Sequence, residues 1–263
     1  MQKTSIFFLL LTGFMSSSGT LLTSNAQDGQ QAYLEATSYI NKDHPAIIAA
    51  TQEVISTAQT QRQKAVQIHD FVRDHIAFGW HGKFYKQKAS EVLRAGVGYC
   101  NTKSTLFIAM LRAAGIPARQ HFVNINARII SDFISPGTPY VDHSYTEVFL
   151  DNKWIAVDSY IIDRSLFEVA KAKLDAESKL LGYGIHRNGS SIWDGKTDAF
   201  SQFLDDGSIP NLTTTDYGVY SDVNGFYAGG KRANNLNVIT GLFVRLAVGP
   251  ANKKIAALRS TAP

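Results

Sequence analysis

Between residues 99 and 158 the apolar residues change period once, and that switch limits the folds open to the chain. Over 101–114 they recur at Phe107, Met110, Leu111 and Ala114, the i, i+3, i+4, i+7 spacing of a helix with a buried stripe. Gly115 supplies the helix stop, and Pro117 follows two residues later. Beyond them the period is two. Residues 118–126 read as a strand, and 127–142 as a loop containing Pro136-Gly137 and Pro139. Residues 143–150 and 154–158 read as two further strands joined at Asp151-Asn152. A helix followed by antiparallel strands makes the chain α+β, with its helices packed on an antiparallel sheet.

The flanking segments extend this plan. Residues 27–78 read as two helices: one follows Pro45 through Ile47, Ile48, Val54 and Ile55, the other runs through Ala65, Ile68, Phe71, Val72 and Ile76. A loop at 79–88 holds Trp80, His81 and Tyr85. Past Asp163, residues 164–181 read as helix and 182–227 as loop-rich, with a short helical piece over 199–204. The polar stretch 210–230 reads as a surface excursion. Residues 235–247 read as a final helix with Leu236, Ile239, Leu242, Phe243 and Leu246 on one side. The expected organisation is therefore an export signal over 1–26, a core over 27–163, and a helical, loop-rich extension over 164–263 packed on it.

The signal rests on Lys3, an apolar run over 6–14, and the small-x-small sequence Ser24-Asn25-Ala26. The run is too short for a stable membrane span, so the expected location is secreted or periplasmic. Of 263 residues 44% are hydrophobic and 18% charged, enough apolar material for one sizeable core. The formal charge of +4 falls to +3 when Lys3 is removed, and no basic stripe is interleaved with aromatics, so nucleic acid is not an expected partner. No ligand spacing calls for a metal, and no cofactor is expected.

The single cysteine is more informative. An exported chain with one Cys cannot form an internal disulfide, and a lone thiol there is buried, paired with another chain, or chemically employed. Cys100 follows Gly96-Val97-Gly98-Tyr99 at the start of the 101–114 helix. A helix N-terminus favours a thiolate, and so does a nearby imidazole that takes the proton.

Of the seven histidines, His143 begins the strand whose hairpin partner ends in an acid, Asp158. With a two-residue turn at Asp151-Asn152, Leu150 faces Lys153. Counting outward, Asp158 faces Tyr145, diagonal to His143 and on the same face. An odd turn would separate the two side chains. Each residue alone is most often structural; their conjunction, in the order of a thiol triad, points to catalysis by Cys100, His143 and Asp158.

These stretches resemble the transglutaminase-like superfamily, whose members share a papain-like α+β core. The resemblance rests on Gly98-Tyr99-Cys100, Gly115-Ile116-Pro117-Ala118-Arg119, His143-Ser144-Tyr145-Thr146-Glu147-Val148 and Trp154-Ile155-Ala156-Val157-Asp158. Ile68-His69-Asp70-Phe71-Val72 and Ile76 are similar to the helix preceding the nucleophile in bacterial members. Together these cover about residues 40–160. Trp193-Asp194-Gly195 and the final helix are a weaker likeness to secreted bacterial members. Two positions depart: Tyr145 stands where Trp is frequent, and Ser159 where Pro is frequent.

The resemblance implies thiol acyl transfer on an amide or peptide bond of a protein or peptide, cell-envelope material included. Hydrolysis gives a protease or amidase; an amine acceptor gives a transglutaminase. The oxyanion donors it implies are the Cys100 backbone N–H and, as candidate, Trp80. Arylamine N-acetyltransferases share the Cys–His–Asp order, but their Arg-Gly-Gly-x-Cys motif is absent. The competing reading is a non-catalytic envelope binding module on the same fold.

Overall fold

The computed structural model describes residues 30–230 and 238–262, without the side chains of 238–245. The expected export signal and the beginning of the expected final helix lie outside these residues. Helix α1 (Pro45–Val54) begins on its proline, with the His44 ring accepting from the Ala46 N–H. Helix α2 (Gln61–His75) opens on a reciprocal capping box between Thr60 and Gln63.

Strand β1 (Ala77–Phe78) ends the segment read as helical, and beyond the expected loop come helix α3 (Ala89–Ala95) and strand β2 (Val97–Gly98), neither of them expected. The two strands pair in parallel, Phe78 opposite Gly98. Gly96, with φ +64°, ends α3 in the left-handed region that favours glycine.

Helix α4 (Cys100–Ala113) is buried on every side from Cys100 to Arg112, not along one stripe as the periodicity predicts. Its long cations are enclosed because backbone carbonyls receive them. The Lys103 ammonium donates to Arg73 O at 3.2 Å and Ile76 O at 2.6 Å, closing the C-terminal end of α2. Arg112 donates to the carbonyls of Ala118, Glu35 and Ser221.

Strand β3 (Ala118–Asn126) has the expected bounds, and β4 (Tyr140–Leu150) begins earlier than expected. The β3–β4 ladder continues through Asn124↔Asp142 to Asn126↔Tyr140, so His143 lies inside its strand and does not open it. Asp151 and Asn152 make the expected two-residue turn, with φ of 50° and 62°. Strand β5 (Lys153–Val157) pairs Leu150↔Lys153 through Thr146↔Val157.

The C-terminal part departs most from expectation. Helix α5 (Arg164–Ala176) stops before residue 181. Leu181 instead enters the small hairpin of β6 (Leu181–Gly182) and β7 (Ile185–His186), so His186 is not in a loop. Residues 199–204 are not helical: Ala199 bridges to Val157, and the peptide groups that follow turn toward a side chain. The expected surface excursion contains strand β8 (Asp216–Tyr220), which closes the sheet in the order β5-β4-β3-β8, and helix α6 (Val223–Ala228).

Helix α7 (Val238–Arg259) runs through the predicted end at residue 247. Leu246, expected on the buried face, is 67% exposed, whereas Ala251 and Ile255 are enclosed. One apolar core joins α2, α4, the inner face of β4 and β5, α5, and the end of α7. No helix among the described residues is long and apolar enough to cross a membrane.

Candidate active site

Cys100 is the first residue of α4, a free thiol with 8% of its surface exposed. The turn before it requires glycine at 98: a Cβ there would come within 2.8 Å of Thr102 Oγ1 and 2.9 Å of Lys103 Cγ. The first N–H groups of a helix have no partner within it, so Cys100 sits where backbone donors and the helix dipole favour negative charge.

His143 reaches this end of α4 from within β4. Its Nε2 lies 3.1 Å from Asp158 Oδ2, and Cys100 is among the groups that act on its ring. The hairpin register explains the His–Asp contact: Val157 faces Thr146, so Asp158, one residue on, continues opposite Tyr145 and diagonal to His143.

Asp158 is fully enclosed, and its oxygens are saturated. Oδ1 accepts from the Ser201 N–H at 2.5 Å, the Gln202 N–H at 3.2 Å and the Ser201 hydroxyl at 3.2 Å. Oδ2 accepts from the Phe203 N–H at 2.8 Å as well as from His143. Residues 201–203 therefore form a backbone cradle for the carboxylate, which is why they are not a helix.

Burial alone would lower the basicity of His143. The hydrogen bonds to Asp158 and Cys100, with the charges of both groups, outweigh it and raise the imidazole pKa to about 9. The imidazolium is thus the favoured form at neutral pH.

A second network flanks the thiol. Asn101 Oδ1 accepts from the Ser144 hydroxyl at 2.8 Å and lies 3.7 Å from Cys100 Sγ. The Gln120 amide donates to Ser144 Oγ at 2.8 Å, and the Asn101 amide donates to Tyr227 OH at 2.8 Å. Tyr227 stacks on Tyr85 with 3.9 Å between ring centroids. None of these residues was picked out from the sequence. Asn101 and Ser144 each adjoin a predicted site residue, which is the one signal available for them; Gln120, Tyr85 and Tyr227 carry none.

Trp80 follows directly on the strand pairing that leads into this turn. The Gly79 N–H donates to Gly98 O at 3.0 Å, which carries the β1–β2 pairing past β1 and sets Trp80 alongside the Tyr99–Cys100 turn. The indole packs edge-on against Phe78, 5.5 Å away.

The two departures from the family pattern have partners of their own. Ser159 hydrogen-bonds the buried His69 ring at 2.8 Å, an interaction proline could not make. Tyr145 lies between His121 and Phe203, at 4.6 Å and 5.5 Å between centroids. The other histidines are engaged elsewhere: His121 bridges Glu147 and Asp216, and His44 and His81 accept from nearby backbone N–H groups. Among the described residues, no group of three or more His, Cys, Asp or Glu is arranged to hold a metal ion.

The family model described as the transglutaminase-like superfamily matches residues 48–159. No curated protein matches the chain. A crystal structure from Cytophaga hutchinsonii, titled as a candidate cysteine protease, aligns at 19% identity with a TM-score of 0.41. That alignment covers 49% of this chain and 40% of the other, and a likeness so partial carries no argument about activity. The segment that holds Cys100, His143 and Asp158 is the one that matches the transglutaminase-like superfamily.

Proposed function

We propose that the chain is a thiol enzyme that transfers acyl groups from amide or peptide bonds, with Cys100 as nucleophile, His143 as acid–base and Asp158 as its orienting anion. The observation that carries this reading is the buried His143–Asp158 hydrogen bond, with Cys100 at the start of its helix acting on the same imidazole. The superfamily match over residues 48–159 supports a cysteine enzyme in general and leaves its substrate open.

The sulfur, as thiolate, attacks the carbonyl carbon. The oxyanion that forms is met by the Cys100 N–H and, in this reading, by the Trp80 indole. The C–N bond breaks as the His143 imidazolium gives its proton to the departing amine, leaving a thioester on Cys100 and a neutral imidazole. Water or a second amine then attacks the thioester, His143 takes its proton, and the thiolate–imidazolium pair is restored. Asp158 does not change protonation in this cycle; it fixes the ring orientation and stabilises the imidazolium.

The first step is common to hydrolysis and transamidation, so the acceptor is found by assay. Peptides with and without glutamine are incubated with and without a primary amine, following new N-termini, ammonia release and amine incorporation. Turnover that is lost in Cys100→Ala supports the reading. Turnover that survives Cys100→Ala, or inertness of the wild type on every substrate, overturns it. The same reading puts the enzyme in the secreted or periplasmic space, on its expected signal. An exported form beginning near Gln27 supports that location, and one that retains Met1 contradicts it.

A further inference from the structure

The outer edge of β1 is closed by side chains and not by another strand. In a strand, successive peptide groups point to opposite sides. The N–H groups of Ala77 and Gly79 go to β2, donating to Gly96 O and Gly98 O. Those of Phe78 and Trp80 point away from β2. The Phe78 N–H donates to Asp163 Oδ2 at 3.0 Å, and Phe78 O accepts from the Arg259 guanidinium at 3.0 Å. Arg259 also bonds both oxygens of Asp163, at 2.8 and 2.7 Å.

The next pair is completed by a single residue of α7. The Trp80 N–H donates to Asn252 Oδ1 at 3.0 Å, and the Asn252 amide donates back to Trp80 O at 2.8 Å. One amide side chain thus reproduces both bonds that a neighbouring strand would make. Gly79 permits the approach, since a Cβ there would come within 3.0 Å of Asn252 Oδ1 and 2.9 Å of Val97 Cγ2. Asn252 follows the buried Ala251 on α7, with Ile255 one turn on, so its position is set by packing.

We infer that Asn252 is a positioning residue for acyl transfer: it pins the Trp80 backbone against the Cys100 turn, making α7 part of the oxyanion site. The inference rests on the reading of Cys100 as an acyl-transfer nucleophile. It also gives the C-terminal helix a task that its distance in sequence conceals.

Two reactions of the same thiol separate positioning from general structure. Alkylation by iodoacetamide is a displacement at saturated carbon and generates no oxyanion. Acetylation by 4-nitrophenyl acetate passes through one: the sulfur bonds the acetyl carbon and 4-nitrophenolate leaves. In the full-length protein, Asn252→Ala should slow acetylation by about tenfold, less than the 10²–10³ lost when an oxyanion donor is deleted outright. Alkylation should stay within about twofold. Trp80→Phe, which removes the indole N–H, should slow acetylation at least as much, and adding Asn252→Ala to it should cause no further loss. Asn252→Asp keeps the acceptor for the Trp80 N–H but sets a carboxylate oxygen against Trp80 O in place of the donor; it is the variant to use if alanine prevents folding, with a loss of the same kind.

Acetylation unchanged in the Asn252 variants overturns the inference, and so does an equal fall in both reactions. Losses that simply multiply in the double variant also overturn it. If wild-type Cys100 is acetylated no faster than a free cysteine, the reading of the site itself fails, and the inference with it.

Discussion

Asp158 has two tasks at once, and both follow from the atoms around it. Its Oδ2 orients His143, and its two oxygens gather the N–H groups of residues 201–203. Asp158→Asn would turn an amide N–H toward donors that have no other acceptor. The expected result is a loss of roughly 1–3 kcal/mol in stability, from unsatisfied buried groups, together with a large loss of turnover. Chemical denaturation and steady-state assay of the same preparation check both; normal turnover in this variant would remove Asp158 from the mechanism. For His143 the sign of the pH dependence is fixed. Its folded pKa, about 9, lies above the unfolded value of about 6.5, so the folded state binds the extra proton between them. The resulting stability is fully present below about 6.5 and is lost as pH rises through about 9. The buried Lys103, with its pKa lowered to about 7, works the opposite way over an overlapping range. It is common to wild type and His143→Gln, so the difference between their unfolding free energies isolates the histidine. That advantage of wild type should shrink between pH 6 and pH 9.5; an advantage that grows contradicts the assignment. The His143–Asp158 contact was legible because hairpin parity is a counting problem once the turn is known. The Ser201–Phe203 cradle was not, since backbone donors leave no trace in residue type.

At the scale of elements, the position of the thiol is decided by the approach to α4. Gly98 has no room for a side chain, because Thr102 and Lys103 of the first helical turn lie against it. Gly98→Ala should force that turn outward, at a cost of about 1–3 kcal/mol typical of overpacking. Cys100 alkylation should slow in the same variant, because the thiol moves with the turn. Thermal midpoint and labelling rate are the measurements, and no change in either would show that the turn yields freely. The helix α4, strand β3 and the Asp151-Asn152 hairpin were readable because each carries a sustained period or a turn signature. Strands β1 and β2 have two residues each, too few to show a period. Strand β8 was read as surface because it lies at the sheet edge, half-exposed, and carries no buried alternation. The piece at 199–204 failed for a different reason: its peptide groups have a better acceptor in Asp158 than a helix would offer.

Over the whole molecule, the family-matching segment ends at residue 159, yet groups beyond it complete the site. Residues 201–203 hold Asp158, Tyr227 receives Asn101, and Asn252 holds Trp80 from 172 positions away. These contacts join polar side chains to backbone or to one another across long separations, and such pairings have no local sequence pattern. The C-terminal half was therefore the least legible part. What unites the account is a single covalent event at Cys100, and it is directly observable. Wild type, His143→Ala and Cys100→Ser are mixed briefly with an activated acyl ester, quenched in acid, and analysed by peptide mass spectrometry. The account predicts stoichiometric acylation confined to the Cys100 peptide of the wild type, at least a hundredfold slower in His143→Ala, as loss of a general acid–base residue implies, and absent in Cys100→Ser. Acylation of Cys100 at equal rates with and without His143, or an adduct that persists in Cys100→Ser, would contradict it.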